Sequence, residues 1–292
     1  MDSRFLESFV IVIESGSIAE AARRLNLTAA AVAQRVHTLE REIGTRLILR
    51  SGRSVMPTQA GTAILARAKN LLGDVRDLKA MAADDRPAGE LRVGATPTAT
   101  SGLLPGILTR LTAHHPQIEY QIESGISAEL YRKLLDGDLD VALIIQPPFA
   151  IPKAYSWRLL REEPLVLLAP RGIRQRDPAA ILTSQPLIRQ RHNTWVGRLI
   201  DGYLRQAGIR PRERFEIDTL EAIAVMVDRG LGVALVHDWA PPWPEGLSLT
   251  KIPIPGKRYG RRMGLLWPRA SLRMRLVEAF LDVATATGRA GE

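Results

Sequence analysis

The first sixty residues contain two short amphipathic segments in close succession, and this pairing restricts the fold more than any other feature of the chain. Only Asn26 and Leu27 separate segment 17–25 from segment 28–43. Ser17 and Glu20 have the spacing of a capping box, so a helix is expected to begin there. Thr28 is expected to cap the next helix. Two helices joined by so short a turn predict a helix-turn-helix.

The second segment has one apolar face and one small or polar face. Apolar residues recur at steps of four, three and four, which predicts a stripe buried in a core. The stripe consists of Val32, Val36, Leu39 and Ile43. The opposite face carries Ala30, Gln34, His37 and Arg41. Such a helix can lie in the DNA major groove and read base edges from its N-terminal half, or it can belong to an ordinary helical bundle.

The residues that follow favour the DNA-binding interpretation. Gly44 is expected to end the helix, and segments 46–49 and 54–56 predict two short strands joined by a turn over 51–53. This is the pattern of a wing with a basic tip. Arg50 and Arg53 can reach a phosphate or the minor groove, although an arginine in an exposed turn can also be simply solvated.

Residues 9–72 resemble the N-terminal domain of LysR-type transcriptional regulators. The matching positions are Glu14 to Ser17, Ala21 to Asn26, Val32, Leu39 to Gly44, and Pro57 to Gly61. The resemblance implies that the second helix reads DNA, but this chain differs where readout would occur. The family usually has Ser-Gln-Pro or Ser-Gln-Ser at the start of that helix and a serine four residues later.

At those positions this chain has a threonine and three alanines, so its operator preference should differ from that of relatives with polar residues. An alanine can contact a thymine methyl group but cannot hydrogen-bond to a base, whereas Gln34 can pair with adenine or hold a phosphate. The predicted DNA-contacting residues are Thr28, Ala29, Ala30, Ala33, Gln34, His37, Arg50 and Arg53.

Composition is that of a globular protein with more than one domain. The chain has 292 residues, of which 46% are hydrophobic and 24% charged. It has no cysteine, which excludes disulfides and thiolate metal sites. The net charge of +9 arises mainly after residue 90, where it favours an anionic ligand or is only a solvated surface. The opening residues lack a basic, apolar signal pattern, so a cytoplasmic protein without membrane segments is expected.

A long helix is expected from Thr58 to about Ala83. Its apolar residues alternate at spacings of four and three, a heptad pattern that suits either pairing of two chains or packing inside one chain. The resemblance favours a dimerisation helix with a seam of Ile64, Ala68, Leu71, Val75, Leu78 and Ala82. The segment 84–89 contains proline and glycine and is expected to end the helix.

From Glu90 onward, predicted strands alternate with predicted helices, which implies parallel sheets in two α/β lobes. Segments 91–94, 134–142, 164–167 and 230–234 resemble the effector-binding domain of the same regulators, itself similar to periplasmic solute-binding proteins. The predicted fold class is therefore α/β, with a winged helix-turn-helix over 1–58, a linker helix over 59–88 and a two-lobed effector domain over 89–292. The first lobe is expected at about 89–162 and 264–292, and the second at about 163–263.

Chemical motifs that would indicate an enzyme fail on inspection. Asp136, Asp138 and Asp140 have the spacing that starts a calcium loop, but Val141 stands where that loop needs glycine. Gly230 and Gly232 lack the third glycine and the strand-to-helix context of a dinucleotide site. Zinc-hydrolase and nucleophile-elbow motifs do not occur. No catalytic residue, metal site or cofactor is predicted.

A ligand is expected instead in the cleft between the lobes, where strand ends and helix N-termini converge. The hydroxyl-rich segment 96–101 suits a carboxylate or phosphate, although its hydroxyls can also serve only as helix caps. His237 stands where relatives usually have proline. The resemblance and this reasoning together predict effector contacts at Thr98, Thr100, Ser101, Ser127, Arg191, Asn193, Thr194, Thr219 and His237.

The resemblance implies a transcriptional regulator that is a homodimer or a dimer of dimers. Its expected partners are double-stranded promoter DNA and a small effector, for which an anion is one candidate, with RNA polymerase as a further candidate. Two alternatives stay open. One is a regulator whose cleft is filled and binds no effector. The other is an enzyme or solute-binding protein with a helical N-terminal extension.

Overall fold

The computed structural model describes residues 1–51, 54–83, 87–255 and 259–289. The chain divides into two compact units, Met1–Glu90 and Leu91–Glu292. The first unit contains helices and a small antiparallel hairpin. Its described elements are α1 (Ser3–Ser15), α2 (Ile18–Leu25), α3 (Ala29–Ile43), β1 (Ile48–Ser51), β2 (Ser54–Pro57) and α4 (Gln59–Ala83).

Helix boundaries in the first unit follow the predicted start and stop signals, with one difference. The Thr28 hydroxyl accepts a hydrogen bond from the Ala31 N–H at 3.2 Å, and Gly44 ends α3 with φ of +82°. Ser17 precedes α2 as predicted, but its side chain makes no capping hydrogen bond. Glu20 instead forms an ion pair with Arg23. The capping-box prediction was therefore right about the start of α2 and wrong about the interaction.

The core of the first unit contains most of the predicted α3 stripe. Val32 and Leu39 are fully buried, and Val36 is nearly so. Ile43 is 39% exposed, so the prediction was wrong for this last residue of the helix. The stripe leaves the core there because α3 ends and the chain turns at Gly44 into the hairpin.

The hairpin begins two residues later than predicted, at Ile48, and Glu40 of α3 holds its start. The Glu40 carboxylate accepts hydrogen bonds from the backbone N–H groups of Leu47 and Ile48, at 2.8 and 3.2 Å. The start of α4 then lies directly on this segment. A Cβ added at Gly61 would come within 2.1 Å of the Leu47 carbonyl oxygen, so this position requires glycine.

Helix α4 divides its predicted seam between two environments. Ala68 is 2% exposed in the core of its own unit, and Ile64 packs against that core. Ala68 therefore packs inside its own unit, which corrects this position of the predicted seam, whereas Ile64 is only half-buried and its place in the seam stays a prediction. Leu71 and Leu78 are exposed, at 37% and 54%. Val75 is half-buried.

The first lobe of the second unit is built on a mixed sheet with strand order β4-β3-β5-β12-β6. Strand β3 is parallel to β5, whereas β12 is antiparallel to both β5 and β6. Helix α11 packs against α6 and β6 and so covers this lobe. The elements are β3 (Gly89–Ala95), α5 (Pro97–Gly102), α6 (Leu104–His114), β4 (Ile118–Ser124), α7 (Ser127–Leu135), β5 (Val141–Ile145), β6 (Tyr155–Glu163), β12 (Arg261–Pro268) and α11 (Met274–Arg289).

The second lobe contains the antiparallel sheet β10-β7-β11 and the parallel pair β8-β9. Of the strand pairs whose direction is described, β3-β5 and β8-β9 are parallel, and Leu187 of β8 forms a further parallel bridge with Val233. The chain crosses between the lobes at Pro164 and again between β11 and β12. The elements are β7 (Leu165–Pro170), α8 (Pro178–Ser184), β8 (Pro186–Gln190), α9 (Trp195–Gln206), β9 (Arg212–Ile217), α10 (Leu220–Asp228), β10 (Ala234–His237) and β11 (Leu249–Pro253).

No helix in the described part of the chain combines the length and the apolar character that crossing a membrane requires.

Candidate functional site

The exposed face of α3 and the first strand of the hairpin form a groove in the first unit. Five of the residues predicted to contact DNA line this groove. They are Ala30, Ala33, Gln34, His37 and Arg50. Thr28 and Ala29 are exposed at the start of α3, beyond the groove lining. Arg53 lies outside the described residues, so its predicted role stays a prediction.

The groove contains two arginines that the predicted contact set did not include. Arg41 and Arg46 also line it, beside Arg50. The acidic residue of the lining, Glu40, accepts hydrogen bonds from the two backbone N–H groups described above. A groove with three guanidinium groups and small side chains on its helical wall suits a polyanionic backbone approached closely by a helix.

A cavity of about 480 Å³ lies between the two lobes of the second unit. The first lobe contributes segments 96–98 and 124–129 with Ile145, and the second lobe contributes segments 190–191, 193–196 and 218–221. Arg261, at the second chain crossing, completes the lining. Helices α5, α7, α9 and α10 all begin in this lining, so their N-terminal N–H groups converge on the cavity.

Six residues predicted to contact an effector line this cavity: Thr98, Ser127, Arg191, Asn193, Thr194 and Thr219. Two of their hydroxyls also have structural roles. The Ser127 Oγ accepts a hydrogen bond from the Ile145 N–H, and the Thr194 Oγ1 caps α9 by accepting one from the Gly197 N–H. The Thr98 Oγ1 accepts a hydrogen bond from Arg261 at 3.0 Å. Thr98 is therefore the predicted residue that is linked directly to a buried cation.

Three other predicted residues lie outside the cavity lining: Thr100, Ser101 and His237. The Thr100 and Ser101 hydroxyls donate hydrogen bonds back to the carbonyl oxygens of Thr96 and Pro97 within α5. The structure therefore places these two hydroxyls on the helix itself, which was the alternative considered for this segment. His237 is completely buried.

His237 is held as a neutral side chain. Its Nε2 donates a hydrogen bond to the carbonyl oxygen of Tyr259 at 2.9 Å. Burial lowers the pKa of His237 from 6.5 to about 3, and the positive charge of Arg261 acts in the same direction. The hydrogen bond to Tyr259 opposes this change in pKa only partly. Burial in a low-dielectric interior disfavours the charged imidazolium.

The low pKa of His237 makes the second unit less stable in acid. The unfolded chain binds the proton more tightly, so the free energy of unfolding should fall by up to about 1.4 kcal/mol per pH unit as pH drops from 6.5 towards 3. Urea unfolding followed by tryptophan fluorescence measures this change, because every tryptophan of the chain lies in the second unit. His237→Gln should remove this part of the pH dependence. His114 is exposed, so His114→Gln is the matched control. An unchanged acid sensitivity in His237→Gln would show that His237 does not cause the loss of stability in acid.

Sequence reasoning missed the buried ion pair beside the cavity. Arg261 and Glu163 are 3% and 2% exposed and are hydrogen-bonded to each other. The Glu163 Oε1 also accepts a hydrogen bond from the Ala240 N–H at 3.2 Å. The sequence contains one indication of this pair, since Arg261 and Arg262 stand at the start of an otherwise mostly apolar strand.

Several other polar residues of the lining were also missed, among them Gln190, Asp218 and Glu221, and Thr96 was part of the segment 96–101 singled out above but was not among the predicted contacts. Among the described residues, no cluster of histidine and acidic side chains is arranged to hold a metal ion.

Comparison with known families assigns both units. Residues 3–62 match the bacterial regulatory helix-turn-helix protein, lysR family, and residues 84–289 match the LysR substrate binding domain. The second match alone covers more than half of the chain. Together they confirm the predicted fold class, and they confirm the prediction of a regulator rather than an enzyme.

Curated relatives agree with these matches. The chain is 29% identical over 237 residues to the HTH-type transcriptional regulator CzcR of Bacillus cereus, which covers 81% of this chain and 80% of the relative. It is 27% identical to the regulator IlvY of Escherichia coli, over 97% of this chain and 98% of the relative.

Solved structures share the fold. CbnR in complex with its target DNA has a TM-score of 0.71 and 22% identity, and the match covers 98% of this chain and 100% of CbnR. A variant of full-length OxyR from Pseudomonas aeruginosa has a TM-score of 0.70 and 23% identity, over 97% of this chain and 94% of OxyR.

Proposed function

This chain belongs to the LysR family of DNA-binding transcriptional regulators, and on that basis we propose that α3 and the hairpin contact promoter DNA while the interlobe cavity binds a small effector that controls this binding. The observation that carries the DNA part is the groove, in which one helix presents Ala30, Ala33 and Gln34 beside three arginines. Small side chains allow close approach to base edges, and the arginines supply phosphate contacts.

Gln34 is the main candidate for reading a base. Its side chain is exposed and can donate to and accept from the major-groove edge of adenine. Ala30 and Ala33 beside it can contact thymine methyl groups. Arg41, Arg46 and Arg50 set the register on the duplex without distinguishing sequences.

Replacing Gln34 with alanine should therefore weaken binding to the cognate operator by about 1–3 kcal/mol and leave binding to random DNA almost unchanged. The operator is first selected from random DNA with the wild-type protein, and affinities are then measured by fluorescence anisotropy. Gln117→Ala, an exposed glutamine of the second unit, is the matched control. Arg46→Ala should instead weaken both DNAs alike and reduce the salt dependence of binding. Equal losses on both DNAs for Gln34→Ala would make Gln34 a positioning residue.

The effector part of the proposal rests on the open cavity. Its volume of about 480 Å³ lies within the range of small-molecule sites, and it favours an effector over the alternative of a filled cleft. Because both lobes line the cavity, a ligand that binds them together stabilises one lobe arrangement over another. Binding of effector and DNA is then coupled, with each changing the affinity for the other by the same factor.

The regulator acts as a homodimer or a dimer of dimers in the cytoplasm, with RNA polymerase as a further candidate partner. The exposed residues Leu71 and Leu78 on α4 support self-association, because they form the part of the apolar seam that its own unit does not bury. The domain boundaries proposed from the sequence, 1–58, 59–88 and 89–292, place α4 between the DNA-binding and effector parts.

A further inference from the structure

The end of the interlobe cavity near the chain crossings has an excess of positive charge. Arg261 lines the cavity, and its Nε atom is hydrogen-bonded to Glu163. Outside the cavity lining, the Arg161 Nε lies 3.7 Å from the same Glu163 carboxylate and has no hydrogen-bond partner among the described residues, while the Arg161 side chain as a whole is 33% exposed. Two guanidinium groups thus share one buried carboxylate, and His237 nearby is neutral. The formal charges of Arg161, Arg261 and Glu163 therefore sum to one positive charge.

A buried hydroxyl without a partner lies in the same region. Thr96 lines the cavity and is 6% exposed, and its Oγ1 makes no hydrogen bond within the described residues. The neighbouring Thr98 hydroxyl accepts from the Arg261 Nη2. A buried polar atom without a partner is costly, so a ligand that supplies an acceptor here gains both a hydrogen bond and a charge interaction. A carboxylate meets both requirements.

The second-lobe wall of the cavity requires a hydrogen-bond donor or a positive charge from a ligand. The Glu221 Oε2 and the Gln190 Oε1 are buried there and, in the described part of the chain, accept no hydrogen bond. Arg191, the only cation among the described residues of this wall, is already paired with Asp218 at 2.7 Å. Glu129, on the facing helix α7, forms no ion pair with any described residue. This part of the cavity therefore has an excess of acidic side chains, and two of its buried oxygens accept no hydrogen bond from the described residues, although Asn193 and Thr219 supply donors elsewhere in the lining.

From this opposition of charges we propose that the effector is a zwitterionic amino carboxylate. Arg261 and Thr96 bind its carboxylate, and Glu221 and Gln190 accept hydrogen bonds from its ammonium group. A simple anion would leave the Glu221 carboxylate without a counter-charge, and a simple amine would leave the Thr96 hydroxyl and the excess positive charge unused. This inference rests on the proposed function, in which a small molecule occupies this cavity.

The test uses the full-length protein and a matched panel of compounds. The protein amino acids are compared with their 2-hydroxy acids, their deaminated carboxylic acids and their decarboxylated amines, by thermal shift and then by calorimetry. At least one amino acid should raise the melting temperature in a concentration-dependent way. Each of its three analogues should bind about tenfold or more weakly, since each loses one charge-assisted hydrogen-bonding group.

Two variants locate the ends of the ligand. Glu221→Gln should lower the affinity for the amino acid about tenfold or more while leaving that for the hydroxy acid almost unchanged. Thr96→Val should weaken the amino acid and the hydroxy acid together and leave the amine unaffected. Glu245→Gln, an exposed acidic residue of the same lobe outside the cavity lining, is the control and should bind like the wild type.

The outcomes separate this inference from the function on which it depends. If the hydroxy or deaminated acid binds as well as the amino acid, or if Glu221→Gln keeps the wild-type preference, the zwitterion assignment is wrong. The effector cavity stands in that case if the bound acid changes the affinity for operator DNA. If no compound of the panel raises the melting temperature, the zwitterion assignment fails, and if none changes operator affinity either, the effector role of the cavity loses its support.

Discussion

Replacing Glu163 with glutamine is expected to lower the free energy of unfolding of the second unit by about 3–5 kcal/mol, because it leaves the Arg261 guanidinium buried without a counter-ion. Glu163 is 2% exposed, and glutamine keeps its shape and the oxygen that accepts from the Ala240 N–H. Only the charge is removed. Urea denaturation followed by tryptophan fluorescence measures the loss.

Glu162→Gln is the matched control for this experiment. Glu162 is the neighbouring residue on β6, but its side chain is 62% exposed and pairs with Arg262 at 3.5 Å on the surface. Exposed ion pairs contribute less than about 1 kcal/mol, so this variant should unfold close to the wild-type denaturant concentration. Equal midpoints for the two variants would show that the buried pair does not stabilise the lobe crossing.

Placing a charge at Leu71 is expected to raise the dissociation constant of the oligomer by a factor of about 100 or more. Leu71 is 37% exposed on α4, and pairing of this helix with a second chain would bury the new carboxylate without a partner. Operator affinity should fall together with self-association. Analytical ultracentrifugation of Leu71→Glu measures the first effect, and anisotropy measures the second.

Ala66→Glu is the control for the dimerisation helix. Ala66 is also exposed on α4, but at 3.6 residues per turn it lies on the side opposite the seam. This variant should retain the wild-type mass and operator affinity. An unchanged mass for Leu71→Glu would show that α4 does not pair two chains.

Local patterns predicted much of the fold because the interactions that set helix ends and buried faces act within a few residues. Thr28 and Gly44 bound α3 as expected, since a cap and a left-handed glycine satisfy backbone groups of the same helix. The periods of 3.6 and 2 likewise indicated which faces are apolar. They did not indicate what those faces contact. Ala68 fits a heptad seam, yet the structure buries it within its own unit.

The candidate site was predicted only in part, because local patterns indicate where a residue stands in the order of elements but not what its side chain contacts. Thr98, Ser127 and Thr194 were found because they stand at strand-to-helix connections, whose position at the cleft follows from the order of elements. The direction of a hydroxyl is a different matter, since Ser101 donates back to the Pro97 carbonyl instead of facing the cavity.

The sequence by itself determined the two-part organisation, the helix-turn-helix with its wing and the succession of strands and helices in the effector domain. Only the tertiary structure decided which charges meet. Arg261 lies 98 residues from Glu163 and 163 residues from Thr98, and nothing in their local sequence relates them. They meet because the chain crosses twice between the lobes, and because the desolvation cost of a buried charge is offset only where folding supplies a partner, here from a distant segment.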